Sequence, residues 1–339
     1  MVQGGTAVQV GIVLVTVIGL WVGARLLVDS AVRLARRVGL TELTIGLTVV
    51  AVGTSTPELV VTTDAALKGL GDIGVGNVIG SNIYNLAFVL GVVSLVRFVP
   101  VERSLVHRDG VALVVCTLLG GVVLFDLAVS RIEGVALLGL LLAYTVYLVR
   151  TGAETASDAS AISIGSDASS PGSEADRPGV ATTITDRIDL PGRDVVLLVV
   201  GLAVVLVSGD LMVGAATALA RGAGISEWVI GGTIVAAGTS TPEFAVSLVA
   251  MRRGRIGVSV GNIVGSNVFN LLGVMGLAAV IRPLSVGGPA LENVAWLVVV
   301  TVAMVAALWT GRRLSRPEGG LFACSELTRW TLGLLGVFG

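Results

Sequence analysis

The chain has 339 residues, 54% hydrophobic and only 13% charged, with mean hydropathy +0.94 and a formal net charge of −1. Soluble domains carry about 25% charged residues, so the composition points to a membrane, and the near-neutral charge argues against a nucleic-acid partner. Cys116 and Cys324 stand far apart with no CxxC spacing, which argues against a disulfide framework or a zinc site.

In chain order, apolar segments fall near 7–35, 40–68, 73–97, 109–126, 132–149, 194–220, 225–251, 256–281, 290–310 and 321–338. Most approach the roughly 20 residues that cross a hydrocarbon core. The predicted fold is therefore all-α, a polytopic membrane protein of ten transmembrane helices. The first segment lacks a basic n-region and runs too long for a signal peptide, so it reads as a retained span. It carries Arg25 and Asp29 and exceeds what a bilayer needs, which predicts tilt or extension beyond the bilayer. Thr41-Glu42 and Ser226-Glu227 read as helix N-caps with an acidic first turn. His107 lies in a charged connector and is expected to be solvated. The last segment is the weakest, because Glu326 and Arg329 interrupt it.

Residues 151–193 are rich in Ser, Ala, Asp and Gly, with seven acidic residues against three arginines. Such a stretch buries too little surface to fold, which predicts a disordered, solvated linker. It separates residues 1–150 from 194–339, with five spans on each side. With the N-terminus outside, the inner connectors hold fifteen arginines, among them Arg36, Arg37, Arg150, Arg252, Arg253 and Arg255. The opposite side holds only Lys68, Arg131, Arg221 and Arg282. The asymmetry predicts both termini outside and the linker in the cytoplasm. Five spans per half then turn the second half upside down, the inverted-repeat plan of secondary transporters with a substrate site near the midplane.

Two strings carry the repeat. GTSTPE occurs at 53–58 and 238–243, and GNVIGSNIYN at 76–85 answers GNIVGSNVFN at 261–270, all at a constant offset of 185 residues. The repeats span about 40–97 and 225–281. Pro57 and Pro242 lack an N–H, so the helix should kink there and the carbonyls around 51–53 and 236–238 should lose helical partners. Thr54, Ser55, Thr239 and Ser240 add hydroxyls on the same turns, and Glu58 and Glu243 add charge. A plain proline kink would account for one copy, but a carboxylate in mid-membrane at the same place twice is costly and argues for function. Ser81 and Asn85, like Ser266 and Asn270, are spaced i, i+4 and share a helix face. Asn82 and Asn267 point elsewhere and suit interhelical hydrogen bonding. Gly76 and Gly80, with Gly261 and Gly265, have GxxxG spacing that lets helices approach closely. No nucleotide-binding fingerprint and no nucleophile–histidine pairing is present, so no enzyme and no cofactor is expected. Carboxylate, hydroxyl, amide and carbonyl oxygens suit hard cations such as Ca²⁺, Na⁺ or Mg²⁺. Two glutamates balance one divalent ion, two monovalent ions or two protons, and that equivalence is a physical basis for exchange.

These strings, twice in a ten-span chain with a central linker, resemble the cation/calcium exchanger superfamily with its two inverted alpha-repeats, and most closely its prokaryotic sodium/calcium exchangers. The resemblance covers essentially the whole membrane portion. It implies a secondary antiporter in the cell membrane that exchanges sodium for calcium by alternating access. It implies a central calcium site of Glu58, Glu243, Thr54 and Thr239, completed by Asn85 and Asn270. It also implies flanking sodium sites at Ala51, Ser55, Ser81, Ala236, Ser240 and Ser266. Potassium-dependent relatives carry aspartate at the position of Asn270, so asparagine in both copies leans toward potassium independence. A calcium/proton antiporter shares the same logic and is the alternative, ahead of a cation channel or an ion sensor. The partners implied are the two ions and the bilayer, with no obligate protein partner. Finally, Arg25 and Asp210 occupy equivalent places in the first span of each half, and they are expected to pair or to snorkel.

Overall fold

The computed structural model describes residues 5–96, 99–100, 105–166, 192–223, 236–311 and 313–334. Helix α1 is Thr6–Arg37; α2 (Glu42–Thr54) and α3 (Thr56–Lys68) form one span bent by 47° at Ser55; α4 is Gly71–Val96. Helix α5 (Val111–Val123) and α6 (Arg131–Ser166) complete the first half. In the second half come α7 (Arg193–Gly222), the short α8 (Ala236–Thr239), α9 (Thr241–Arg252), α10 (Ile256–Ile281), α11 (Pro289–Gly311) and α12 (Arg316–Leu334). Among the described residues six helices are long and apolar enough to cross a membrane, and the bent α2–α3 pair makes a seventh. Every one of the ten expected apolar segments carries helix among the described residues. The capping prediction at Thr41 is met, since its hydroxyl accepts from the Thr44 N–H at 3.1 Å. That at Ser226-Glu227 lies outside the described residues.

Burial runs opposite to that of a soluble protein. Leu14, Val15, Ile18, Phe125, Ile132 and Leu321 are exposed, while Thr54, Ser55, Glu58, Asn82, Asn85, Ser240, Glu243, Asn267 and Asn270 are fully buried. Polar atoms inside and apolar side chains outside is the arrangement a bilayer selects. The most apolar stretches of α4 and α10 are 78% and 83% buried, against 28% for α1 and α7. The repeat-bearing helices therefore form the centre, and α1 and α7 lie across its periphery. Helix α10 reaches α2 through its glycines, as the GxxxG spacing predicts: a methyl group at Gly261 would fall 2.7 Å from the Leu43 carbonyl oxygen. Among the described residues nothing lies within 4 Å of a methyl group added at Gly76 or Gly80.

The halves are interleaved. Short strand β1 (Val99–Pro100) pairs antiparallel with β4 (Arg313–Leu314), and β2 (Ala128–Val129) with β3 (Leu284–Ser285). The 185-residue offset carries β1 onto β3 and β2 onto β4, so it exchanges the two ribbons, as a two-fold relating inverted halves requires. The same offset relates two capping boxes. Ser130 and Glu133 open α6, and Ser315 and Glu318 open α12, each carboxylate accepting from the serine N–H and hydroxyl at 2.6–2.8 Å. The Ser315 hydroxyl and N–H hold the half-buried Glu318 carboxyl below its ordinary range.

Three expectations are corrected. Helix α6 does not stop at Arg150 but continues to Ser166, well into the stretch read as linker. Alanines at 153, 156, 159 and 161 favour helix, and extending a formed helix has no nucleation cost. Arg25 does not meet Asp210: its guanidinium lies over the Trp21 ring on its own helix, 4.7 Å from the centroid, and both Arg25 and Asp210 are exposed. Helices α1 and α7 run antiparallel and cross where Gly23 faces Gly201, so equivalent positions diverge away from the crossing. The charged end of α1 instead turns to other partners, with Arg33 and Arg37 on Asp194 at 2.6 and 2.9 Å and Asp29 on Arg253. The third correction concerns the carbonyls at the first break. Ala51 O keeps the Ser55 N–H at 3.0 Å, and Gly53 O, which Pro57 cannot serve, takes the Thr56 hydroxyl at 2.7 Å. A proline removes one donor, and a neighbouring hydroxyl replaces it. His107 is exposed, as expected, with its ring edge-on to Trp309 at 4.3 Å.

Candidate ion-binding site

Each glutamate stands on the first turn of the helix that follows a break, Glu58 on α3 and Glu243 on α9, with a proline beside it at the helix start. Proline tolerates that first turn because the N–H it lacks would have no helical partner there. The bend at Ser55 and Ser240 turns the two serine hydroxyls across the molecule. Ser55 Oγ donates to Glu243 Oε1 at 2.8 Å, and Ser240 Oγ donates to Glu58 Oε1 at 2.9 Å. The carboxylates are thus bound by the opposite half's serine, which brings both into one buried centre. Ser266 Oγ lies 3.4 Å from Glu243 Oε1 and 3.5 Å from the Ala51 carbonyl.

Two of the remaining expected site residues, Thr54 and Thr239, bond across the halves. Thr54 donates toward Asn262 Oδ1 at 3.0 Å with the Ala51 carbonyl 3.3 Å away, and Thr239 donates to Asn77 Oδ1 at 3.5 Å. Ser81 and Asn85 are buried on α4, and Asn270 on α10. Ala236 opens α8. Asn82, expected to bridge helices, does so: its Nδ2 donates to the Asn267 carbonyl at 3.2 Å, and its Oδ1 accepts from Asn270 Nδ2 at 3.2 Å. Asn267 turns its Nδ2 to Ile263 O at 2.7 Å. Both wall helices widen into a π turn here, Tyr84–Val89 in α4 and Asn270–Val274 in α10. Such turns gather at functional sites, and they left no mark in the hydrophobic pattern.

Glu58 Oε2, Glu243 Oε2, both amide atoms of Asn85, Asn267 Oδ1 and Asn270 Oδ1 are buried without a hydrogen-bond partner. Such atoms are rare in folded proteins and costly, about 1–3 kcal/mol each and more when charged. Most are oxygens and two carry formal charge, so the centre is short of positive charge and of donors. No group of three or more His, Cys, Asp or Glu occurs among the described residues. The donor set is hard oxygen, which fits Ca²⁺ or Na⁺ rather than a thiolate- or imidazole-seeking metal.

Helix α7 covers both breaks. A methyl group at Gly53 would meet Leu202, and one at Gly238 would meet Val213. Beside the second break a crevice of about 480 Å³ opens between α1, α7 and α9, lined by Val17, Leu20, Tyr84, Thr241 and Phe244 among others.

Sequence reading missed Asn77 and Asn262. Each is buried or half-buried against the glutamate-bearing turn, and the signal for both was in hand: they follow the first glycine of the string common to both repeats.

A family model described as sodium/calcium exchanger protein matches residues 8–150 and 194–325. The chain is 34% identical to the putative antiporter CaxA of Alkalimonas amylolytica, over 90% of this chain and 94% of that protein. It is 33% identical to the inner membrane protein YrbG of Escherichia coli, over 87% and 86%, and 29% identical to the sodium/calcium exchanger MaX1 of Methanosarcina acetivorans, over 88% and 90%. Among solved structures it resembles the sodium-calcium exchanger NCX_Mj, with TM-score 0.78 and 29% identity over 95% of this chain and 97% of that one.

Proposed function

The chain belongs to the sodium/calcium exchanger family, a family of membrane transporters rather than enzymes, and from that membership we propose that it exports calcium against inward sodium flow through the two-glutamate centre. Glu58 and Glu243 carry the charge that calcium neutralises. Thr54 and Thr239 supply hydroxyl oxygens, with Asn85 and Asn270 closing the centre. Ala51, Ser55, Ser81, Ala236, Ser240 and Ser266 flank it as sodium ligands. The observation that carries this reading is the cluster of unpartnered, mostly oxygen atoms around two crossed serine–glutamate bonds.

Two wholly buried carboxylates cost several kcal/mol each unless neutralised. One Ca²⁺ or two Na⁺ would satisfy the pair equally, so each load can replace the other while an unloaded centre is expensive to move. Repeats that are equivalent in sequence and meet at one centre support alternating access, since equivalent halves can exchange roles. The cluster of Arg33, Arg37, Arg253 and Arg255 with Asp194, Asp29 and Glu42 at one end supports that end as cytoplasmic, with both termini outside.

Full-length protein in calcium-loaded proteoliposomes tests the reading. A sodium gradient should drive calcium movement and a pH gradient alone should not. Glu58→Gln and Glu243→Gln should each abolish it while the protein stays folded. Drive by pH alone would make it a calcium/proton antiporter, and flux without any counter-ion gradient would make it a channel.

A further inference from the structure

Behind the glutamates lies a chain of hydrogen bonds that occurs twice, each copy crossing from one half to the other, with every member displaced by the same 185 residues. In one copy Thr54 Oγ1 donates to Asn262 Oδ1 (3.0 Å), Asn262 Nδ2 donates to Ser247 Oγ (3.0 Å), and Ser247 Oγ donates to the Ser259 carbonyl (3.3 Å). In the other, Thr239 Oγ1 donates to Asn77 Oδ1 (3.5 Å), Asn77 Nδ2 to Thr62 Oγ1 (3.0 Å), and Thr62 Oγ1 to the Gly74 carbonyl (3.4 Å). Each asparagine also donates to the backbone carbonyl of its own half's glutamate, Asn262 to Glu243 at 3.4 Å and Asn77 to Glu58 at 3.3 Å.

The direction of these chains is forced. A backbone carbonyl only accepts, so the asparagine atom facing Glu243 O must be the amide nitrogen, and its oxygen must then face Thr54. An amide oxygen cannot donate, so in the bond between the two the threonine hydroxyl is the donor. The Ser259 carbonyl fixes the far end in the same sense, because Ser247 spends its proton there and can only accept from Asn262. Thr54 has competing acceptors in Ala51 O at 3.3 Å and in the Glu243 carboxylate, and its contact to Asn262 Oδ1 at 3.0 Å is shorter than that to Ala51 O. With its proton committed to Asn262, the Ala51 carbonyl keeps a lone pair free and the threonine oxygen offers only lone pairs to the centre.

We propose that Asn262 and Asn77 are positioning residues for cation binding: each holds the opposite half's threonine hydroxyl, Thr54 or Thr239, with its proton turned away from the ion, making that oxygen a standing cation ligand. Neither asparagine touches the ion. Each also ties the glutamate-bearing turn of one half to the threonine of the other, so the ligand geometry is set jointly by both halves. This proposal rests on the two-glutamate calcium site argued above.

A double-mutant cycle on purified full-length protein tests it, read by calorimetric titration with calcium chloride in sodium-free buffer and by displacement of calcium with sodium. Asn262→Ala should weaken calcium binding about fivefold to tenfold, the scale of one lost hydrogen bond. Thr54→Ala should weaken it similarly, and the double variant should bind no more weakly than Thr54→Ala alone, because the asparagine acts through that hydroxyl. Asn262→Ala binding calcium as the parent does, or adding its full effect on top of Thr54→Ala, would overturn the proposal. If Asn262→Ala does not fold, the matching cycle at Asn77 and Thr239 decides, and failure of both asparagine variants to fold would make these residues structural and overturn it. A Glu243→Gln control separates the two readings. If it binds calcium as tightly as the parent, the calcium site itself is misassigned; if it loses binding while Asn262→Ala does not, only the positioning role fails.

Discussion

Ser55 and Ser240 each bond the other half's glutamate, and that exchange makes the two carboxylates a single site. Ser55→Ala would remove the 2.8 Å hydroxyl bond to Glu243 Oε1, leaving the longer 3.4 Å contact from Ser266 on that oxygen. Bonds to charged groups contribute about 1.5–3 kcal/mol, so half-saturation for calcium should rise by roughly tenfold or more in vesicle uptake, with folding intact. Thermal unfolding reads the same site independently. Calcium at about 100 times its dissociation constant should stabilise the parent by about 2.7 kcal/mol, and should leave the melting temperature of Glu58→Gln and Glu243→Gln unchanged. The glutamates, serines and threonines were legible because charge or hydroxyl in a membrane segment is expensive and therefore informative. Asn77 and Asn262 were legible only as polar members of the repeated string, because a polar residue next to a glycine carries no sign of which distant hydroxyl it will meet.

At the level of elements, α12 shows how an interrupted segment is accommodated. Arg329 makes two bonds to Glu326, at 2.6 and 2.8 Å, from one turn away, so the buried carboxylate and its partner neutralise each other locally. Arg329→Leu would strand Glu326. Removing one partner of a buried pair costs about 3–5 kcal/mol, reduced here to about 2–3 because Arg329 is partly exposed. Chemical denaturation of the detergent-solubilised protein measures it. The duplicated capping boxes predict a smaller loss: Ser130→Ala and Ser315→Ala should each cost about 1 kcal/mol. The Glu318 share is present at neutral pH. It falls away as pH drops through that carboxyl's depressed folded-state value, since protonation removes the acceptor charge. Helix existence was readable from hydropathy, whereas the extension of α6 to Ser166 and the π turns were not, because both add or shift turns without altering the apolar pattern.

For the whole molecule the arginine distribution yields an orientation that can be checked directly. With Cys116 and Cys324 replaced by serine, Val38→Cys and Asp126→Cys place thiols on two exposed positions at opposite ends of the span order. In intact cells an impermeant maleimide should label the cysteine at 126 and leave the one at 38 until the membrane is opened. The reverse pattern would invert the orientation.

The sequence by itself determined the membrane class, the position of both helix breaks and the residue types beside them, because each follows from a local cost: apolar length, a missing proline N–H, a charge in hydrocarbon. Only the tertiary structure decided which residue bonds which. The crossed serines, the asparagine chains and the parting of Arg25 from Asp210 all depend on how two equivalent halves are turned against each other. A fixed offset along the chain identifies equivalent residues, but contact depends on the angle and crossing point of the helices that carry them.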